Sequence, residues 1–352
     1  MYELNNKIKK LKPYEPNMNS SVIHLDANES FLEIGEVLKK EIADSIFSAQ
    51  LNRYPDPKAE KLCKAFAEFY GVPEKCVVAG NGSDELISVV FSAFLQKGEN
   101  FATVNPDFSM YSFYGHIAEA SEIKIEKNSN FIIDEDNVIE ICNKNNVKLL
   151  IFSNPCNPTS IGLSAEKVRK IIKKVDALVV LDEAYMDFWN QSLLHEVENY
   201  DNLIILRTCS KALGSAALRI GFAVANSVLT NAIKSVKSPY NVNVISQLAG
   251  EVILKNKSQL IAAAEQITNA NIKFCKKLAE FQKKYRAFTL LESCTNFAAL
   301  VMDKSEKFCE YLAENGIMVR YTAGLVRITC GTPAENFKLL EVIEKYLVET
   351  NM

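Results

Sequence analysis

The segment RTCSKALGSAALRIGF, residues 207–222, sets one lysine among groups suited to an anion. Lys211 follows an apolar run and has small neighbours, so its amine is partly desolvated and its pKa falls. A neutral amine there can add to a carbonyl carbon and form a Schiff base. Thr208, Ser210 and Arg219 add two hydroxyls and a guanidinium, the donors that a phosphate needs. Gly214, with Ser215, Ala216 and Ala217, leaves space for close backbone approach. A lone lysine at a strand end is commonly no more than a surface residue. What makes Lys211 a candidate is its company.

Three further segments carry chemistry. In ALVVLDEAYMDF, residues 177–188, Asp182 comes directly after four apolar residues. A carboxylate at the carboxyl end of a buried parallel strand lies where α/β sheets bind ligands. Beside a ring nitrogen, such an acid keeps a pyridinium protonated by its charge. Tyr185, three residues on, can reach a ring hydroxyl. The acid could instead hold magnesium in a nucleotide hydrolase, but no G-x-x-x-x-G-K-[ST] motif accompanies it. In VVAGNGSDE, residues 77–85, Gly80 and Gly82 permit a turn from strand to helix. The free N–H groups of Gly82, Ser83 and Asp84 can hold a phosphate. Glu85 stands where a dinucleotide fingerprint has its third glycine, and a plain strand-to-helix turn fits the segment equally well. In SNPCNPTS, residues 153–160, Pro155 and Pro158 restrict the backbone so that Asn157 can aim its amide at a ligand; an ordinary Asn-Pro turn is the equal alternative. Phe108, in NPDFSMY, could stack on a planar ring or simply fill the core.

These residues need a scaffold that gathers strand ends. The runs at 101–104, 147–153, 177–182, 203–207 and 220–225 are continuously apolar, as strands of a parallel sheet covered on both faces must be. Amphipathic stretches lie between them. One runs from 58 to 70 and stops at Gly71; another runs from 84 to 96; a third extends to Lys174, with Ser164 as its expected cap. The alternation predicts an α/β sheet. After Tyr240 the pattern changes to a long helical stretch over 244–284. Short strands follow at 288–291, 297–301 and 326–329, interleaved with helices at 305–315 and 333–348. The expected division is a large α/β domain over 32–243 and a smaller α+β domain formed by 1–31 with 244–352.

Composition excludes several classes. The chain has 352 residues, 48% hydrophobic and 24% charged, and its net charge of -3 is small, so nothing in the balance suggests a polyanion partner such as nucleic acid. Nine cysteines without a C-x-x-C pair read as reduced thiols, and three histidines without ligand spacing argue against a metal. No apolar run is long enough for a bilayer. MYELNNKIKKLK lacks the apolar core of a signal peptide, so a cytoplasmic location is expected.

The order of glycine turn, aromatic loop, N-P-x-N-P, D-E-A-Y, S-K and arginine resembles the fold-type I aminotransferases that use pyridoxal 5'-phosphate. KPYEP at 12–16, HLDANES at 24–30, RYPDP at 53–57, GNGSDE at 80–85, SPYNV at 238–242 and VRITCGT at 326–332 narrow the resemblance to the histidinol-phosphate aminotransferase family. The likeness covers nearly the whole chain. It implies a mostly parallel seven-stranded sheet between helices, with a smaller α+β domain beside it. It implies that Lys211 carries the cofactor and moves the substrate proton, that Asp182 pairs with the ring nitrogen, and that Asn157 and Tyr185 bind the ring hydroxyl. Gly82, Ser83, Asp84, Thr208, Ser210 and Arg219 would surround the cofactor phosphate, and Phe108 would lie against the ring. Tyr54 would reach the phosphate of a neighbouring subunit, which makes a homodimer. Arg327 would clamp a substrate carboxylate. Tyr14, Asn28 and Arg320 would complete the substrate site.

The implied reaction moves an amino group from L-histidinol phosphate to 2-oxoglutarate, giving imidazole acetol phosphate and L-glutamate in histidine biosynthesis. An aromatic aminotransferase and a threonine-phosphate decarboxylase are the close alternatives. A non-catalytic cofactor-sensing regulator would need a DNA-binding extension, and the chain shows no basic helix-turn-helix. Three departures from the family pattern stand out. Cys156 and Ser160 replace the usual Asn and Gly, Ser215-Ala216-Ala217 replaces Leu-Ala-Gly, and only YTAGLV separates Arg320 from Arg327, where a longer loop is typical.

Overall fold

The computed structural model describes residues 2–9, 11–13 and 22–350. Tyr14 lies outside them. Strand β1 (Ile23–His24) pairs with β11 (Ile317–Met318) and ties the start of the described chain to its last third. Seven strands form the main sheet: β2 (Val77–Asn81), β3 (Asn100–Asn105), β4 (Ser121–Glu126), β5 (Leu149–Ser153), β6 (Leu178–Asp182), β7 (Leu203–Thr208) and β8 (Ile220–Ala225). Their order is β2-β8-β7-β6-β5-β3-β4. All neighbours run parallel except β8, which is antiparallel to both β7 and β2. The expected mostly parallel seven-stranded α/β sheet is therefore present.

The apolar runs form the central strands because both their faces are covered. Leu149, Leu150, Ile151 and Phe152 are all fully buried, as are Leu203 to Leu206. One face packs under α1 (Glu36–Phe47), α2 (Glu60–Tyr70), α5 (Glu135–Lys144) and α6 (Ala165–Lys174). The other packs under α3 (Gly82–Phe94), α4 (Met110–Ile117) and α7 (Ser227–Val236). Gly71 ends α2 in the left-handed conformation at φ 71°, the backbone state a glycine stop supplies. Ser164 does sit at the start of α6, but its side chain caps nothing; Gln191 Oε1 accepts the Ala165 N–H at 3.0 Å instead.

The long helical stretch breaks at Asn256 into α8 (Val244–Lys255) and α9 (Lys257–Tyr285). A second sheet follows, built from β9 (Thr289–Leu290), β10 (Phe297–Val301), β12 (Arg320–Thr322) and β13 (Leu325–Thr329). Its order is β12-β13-β10-β9, and every pairing is antiparallel. With α9, α10 (Ser305–Glu314) and α11 (Pro333–Thr350) it encloses a separate core around Phe274, Phe308, Leu339 and Ile343. The expected division at 243/244 falls just before α8, whose Ile253 and Leu254 join the core of the first sheet.

The turn after β5 joins the two sheets. Ser160 is fully buried and holds φ 68°, a left-handed state that strains any residue except glycine. Its hydroxyl lies 2.8 Å from both Ser293 Oγ and Thr295 Oγ1, and its carbonyl accepts the Cys294 N–H at 2.9 Å. The serine thus exchanges backbone ease for a polar link to the second sheet. Ser160→Ala keeps the strain and loses the hydroxyl, whereas Ser160→Gly loses the hydroxyl and relieves the strain. Both variants should unfold at lower urea than the parent, and Ser160→Ala should fall about 1 kcal/mol below Ser160→Gly.

Candidate active site

Four strand ends converge on one cavity. Ser153 at the end of β5 is in register with Asp182 at the end of β6, and Thr208 ends β7 alongside. Asn81 ends β2, and α3 begins at Gly82. The cavity is about 360 Å³ and is lined by Ser83, Asp84, Phe108, Asn157, Asp182, Tyr185, Thr208, Ser210, Lys211 and Arg219 among others. From outside the main sheet come Asn28, Arg320 and Arg327.

Asp182 is 5% exposed. Among the described residues its two oxygens accept from neutral donors only, the Tyr111 hydroxyl at 2.8 Å and the Ala184 N–H at 3.1 Å. Burial pushes its pKa up to about 6, although both hydrogen bonds work in the opposite direction. Lys211 shows the complementary effect. Its amine donates to the Ala27 carbonyl at 2.9 Å, and burial, helped by the charge of Arg327, brings its pKa down to about 8.

A cradle for an anion lies at one end. Thr208 Oγ1 and Ser210 Oγ are 3.0 Å apart, and Arg219 Nη1 lies 3.4 Å from Ser210 Oγ. The first turn of α3 adds backbone N–H groups that have no partner within the helix. Two glycines make this approach possible. A Cβ on Gly82 would lie 2.8 Å from Arg219 Nη2, and one on Gly221 would lie 2.2 Å from the Ser83 nitrogen. Asp84 Oδ2 accepts from Tyr114 at 3.0 Å, while its buried Oδ1 has no hydrogen-bond partner among the described residues.

The opposite edge is a chain of polar contacts. Asn157 donates its backbone N–H to Ser153 Oγ at 3.0 Å, and Ser153 in turn donates to Asp107. Asn157 Oδ1 accepts from Arg327 Nη1 at 2.6 Å. Tyr185 Oη accepts from Asn28 Nδ2 at 2.8 Å, and burial raises the phenol's pKa. Asn28 is itself held by Thr329, whose hydroxyl donates to Asn28 Oδ1 at 3.1 Å. Phe108 projects over the cavity with its ring edge-on to Tyr111, centroids 5.6 Å apart. The arrangement suits a flat ligand with an anionic tail, a cationic ring atom and a carbonyl facing Lys211.

Residues 20–343 match the family described as aminotransferase class I and II. The chain belongs to the class I and II aminotransferases. Among its curated relatives, a histidinol-phosphate aminotransferase of Clostridium novyi is 39% identical over 342 residues, covering 96% of this chain and 95% of the relative. One of Thermoanaerobacter pseudethanolicus is 35% identical, covering 97% and 98%. A solved structure of histidinol-phosphate aminotransferase from Sinorhizobium meliloti, in complex with pyridoxal-5'-phosphate, shares the fold with a TM-score of 0.89 at 20% identity, covering 99% of each chain.

Most of the residues singled out in this aminotransferase's sequence meet in the cavity. Tyr54 does not: it is 81% exposed, and its ring stacks on Tyr240 with centroids 4.6 Å apart. The short link between Arg320 and Arg327 is a two-residue hairpin turn at Ala323 and Gly324, both with positive φ. It sets Arg320 and Arg327 opposite each other in the β12–β13 ladder, and both side chains line the cavity. Sequence reasoning missed Tyr111, Ser153, Asp107 and Asp26. Tyr111 and Asp107 belong to the NPDFSMY segment that drew attention to Phe108, so position in that segment was the available signal.

A test of the amine needs no substrate. In the chain freed of ligand, labelling of Lys211 by an amine-reactive reagent should rise with pH and level off above about 8. A lysine in an unstructured reference peptide should still be gaining reactivity at that point, because an unperturbed lysine amine deprotonates near about 10.4. Peptide mass spectrometry after competitive labelling checks the difference.

Proposed function

We propose that this chain is a pyridoxal 5'-phosphate-dependent histidinol-phosphate aminotransferase acting with 2-oxoglutarate. The observation that carries the reading is one cavity that opposes a buried carboxyl to a depressed lysine amine, with hydroxyls and a guanidinium gathered at its end. When bound, the cofactor supplies an aldehyde and an electron-withdrawing ring. The residues present fit it: a buried carboxylate with only neutral donors calls for a cationic ring atom, and the cradle joins hydroxyls, a guanidinium and helix N–H groups.

In this reading Asp182 pairs with the ring nitrogen and keeps it protonated. Ser83, Asp84, Thr208, Ser210 and Arg219 hold the phosphate, with Gly82 allowing their approach. Phe108 covers the ring face, and Asn157 and Tyr185 hold its hydroxyl. Lys211 Nζ takes the proton from the carbon bearing the departing nitrogen; with a pKa of about 8 it is neutral in roughly one molecule in ten at pH 7. Arg327 offers a planar fork to a carboxylate or phosphate, and Arg320 adds a second cation for the substrate's distal end. Asn28 and Tyr14 complete the substrate site.

We further infer a cytoplasmic homodimer. Among the described residues no helix is long and apolar enough to cross a membrane. Phe47, Leu51 and Tyr54 are 93%, 68% and 81% exposed within eight positions of one another, an apolar strip that a second copy would cover. Tyr54 would then turn toward the partner's cofactor phosphate.

The deciding experiment offers the purified protein histidinol phosphate, phenylalanine or threonine phosphate, each with 2-oxoglutarate. Glutamate should form from histidinol phosphate. Glutamate from phenylalanine alone rejects the substrate, and carbon dioxide from threonine phosphate rejects the reaction type.

A further inference from the structure

We propose that Tyr111 is a positioning residue that keeps Asp182 ionised and aimed at the cofactor's ring nitrogen while bracing the ring platform Phe108. The proposal rests on the cofactor reading above and assigns a role to a side chain that no motif marks. Tyr111 is fully buried in the first turn of α4. Its hydroxyl donates to Asp182 Oδ2 at 2.8 Å, and its ring meets Phe108 edge-on at an interplanar angle of 85°. One side chain therefore touches both groups that would define the ring's plane and its nitrogen edge.

The chemistry follows from what surrounds the carboxyl. Asp182 is desolvated, and the nearby acids Asp107 and Asp84 oppose its ionisation. Its two hydrogen bonds act in the other direction. Oδ1 takes the Ala184 N–H, a backbone donor in the turn after β6 that side-chain substitution other than to proline leaves in place. Oδ2 takes the Tyr111 hydroxyl, which substitution can remove. A phenol cannot become the anion in this place, since burial and Asp182 itself raise its own pKa well above the usual value. Tyr111 thus remains a donor, and the charge stays on Asp182. Because the ring is fully buried and braced by Phe108, the hydroxyl is held toward the carboxylate.

Tyr111→Phe removes the hydroxyl and keeps the ring, so it separates the bond from the packing. Tyr111→Leu removes both. The first measurement uses the chain without cofactor, with aspartate carboxyl carbons labelled with carbon-13, and Asp182→Asn to assign the signal. The Asp182 carboxyl should titrate near about 6 in the parent. Its midpoint should move up by about one unit in Tyr111→Phe, a tenfold loss in the ratio of charged to neutral form. The second measurement follows release of pyridoxal 5'-phosphate on dialysis at neutral pH. Release should be about tenfold faster from Tyr111→Phe, and faster again from Tyr111→Leu, which also frees Phe108.

An unchanged Asp182 midpoint in Tyr111→Phe overturns the proposal, as does a shifted midpoint with unchanged release. A thermal midpoint close to the parent's shows that Tyr111→Phe is folded; if it is lowered, the carboxyl titration still reads the bond directly. A parent chain that retains no pyridoxal 5'-phosphate sinks the cofactor reading, and the tyrosine's role toward the cofactor with it. That failure is distinct, because the titration arm uses the protein alone.

Discussion

The carboxyl group of Asp182 is held where little water reaches its charge, and among the described residues no cationic side chain donates to it. A buried acid in that state drifts toward its neutral form unless something compensates. Here two neutral hydrogen bonds compensate in part, and the group settles at about 6. Such a site has a strong affinity for a cation that can come close without bringing water. On the other side of the cavity the same desolvation acts on Lys211 with the opposite sign and brings it to about 8. The two groups bracket neutrality, so small changes in their surroundings alter which of them carries charge.

That balance depends on a sheet that can bury strand ends without closing them off. Parallel strands β5 and β6 finish at the same level, while β7 runs two residues past Leu206, the partner of Asp182; the three ends present Ser153, Asp182 and Thr208 to one space. The antiparallel strand β8 enters beside them and brings Arg219 in from the opposite direction, just ahead of Ile220. Gly221 lets β8 lie against the first turn of α3, so the helix N–H groups and the arginine meet. Behind the site, Arg207 bridges Glu183 at 3.1 Å and Asp187 at 2.9 Å, which fastens the turn after Asp182 to β7. Removing one partner of such a buried pair typically costs about 3–5 kcal/mol, since the other charge is left unpaired. The turn is therefore stiff where the carboxyl must not move.

The central strands were legible because complete burial writes itself as an unbroken apolar run. The edge strand β4 was not, since SEIKIE alternates charge with apolar residues and only Ile125 is fully buried. An exposed edge has no need of a continuous apolar run. Lys211, Asp182 and Arg219 were legible because each interrupts an apolar or small-residue context with a charge. Tyr111 was hidden for the converse reason. A buried tyrosine among core residues looks like packing until its hydroxyl is seen to point at Asp182, a partner 71 positions away. The Arg320–Arg327 link was read as a missing loop. In three dimensions it is a tight hairpin, and Ala323 and Gly324 adopt the positive φ that such a turn requires.

The hairpin gives the positive charges of the cavity two tasks at once. Arg320 and Arg327 face one another across the ladder, an arrangement that like charges resist unless anions or dipoles intervene. Asp26 lies 3.7 Å from Arg320, and its carbonyl accepts from Arg327, so the structure supplies part of that relief. The remaining field falls on Lys211, where the charge of Arg327 is the largest influence after burial. An anion arriving at Arg327 would cancel that repulsion and make Lys211 more basic. An empty site would keep the amine less basic and better able to react as a neutral nucleophile. A guanidinium placed to receive an anion would in this way also adjust the lysine, because the charge of Arg327 acts on Lys211 directly.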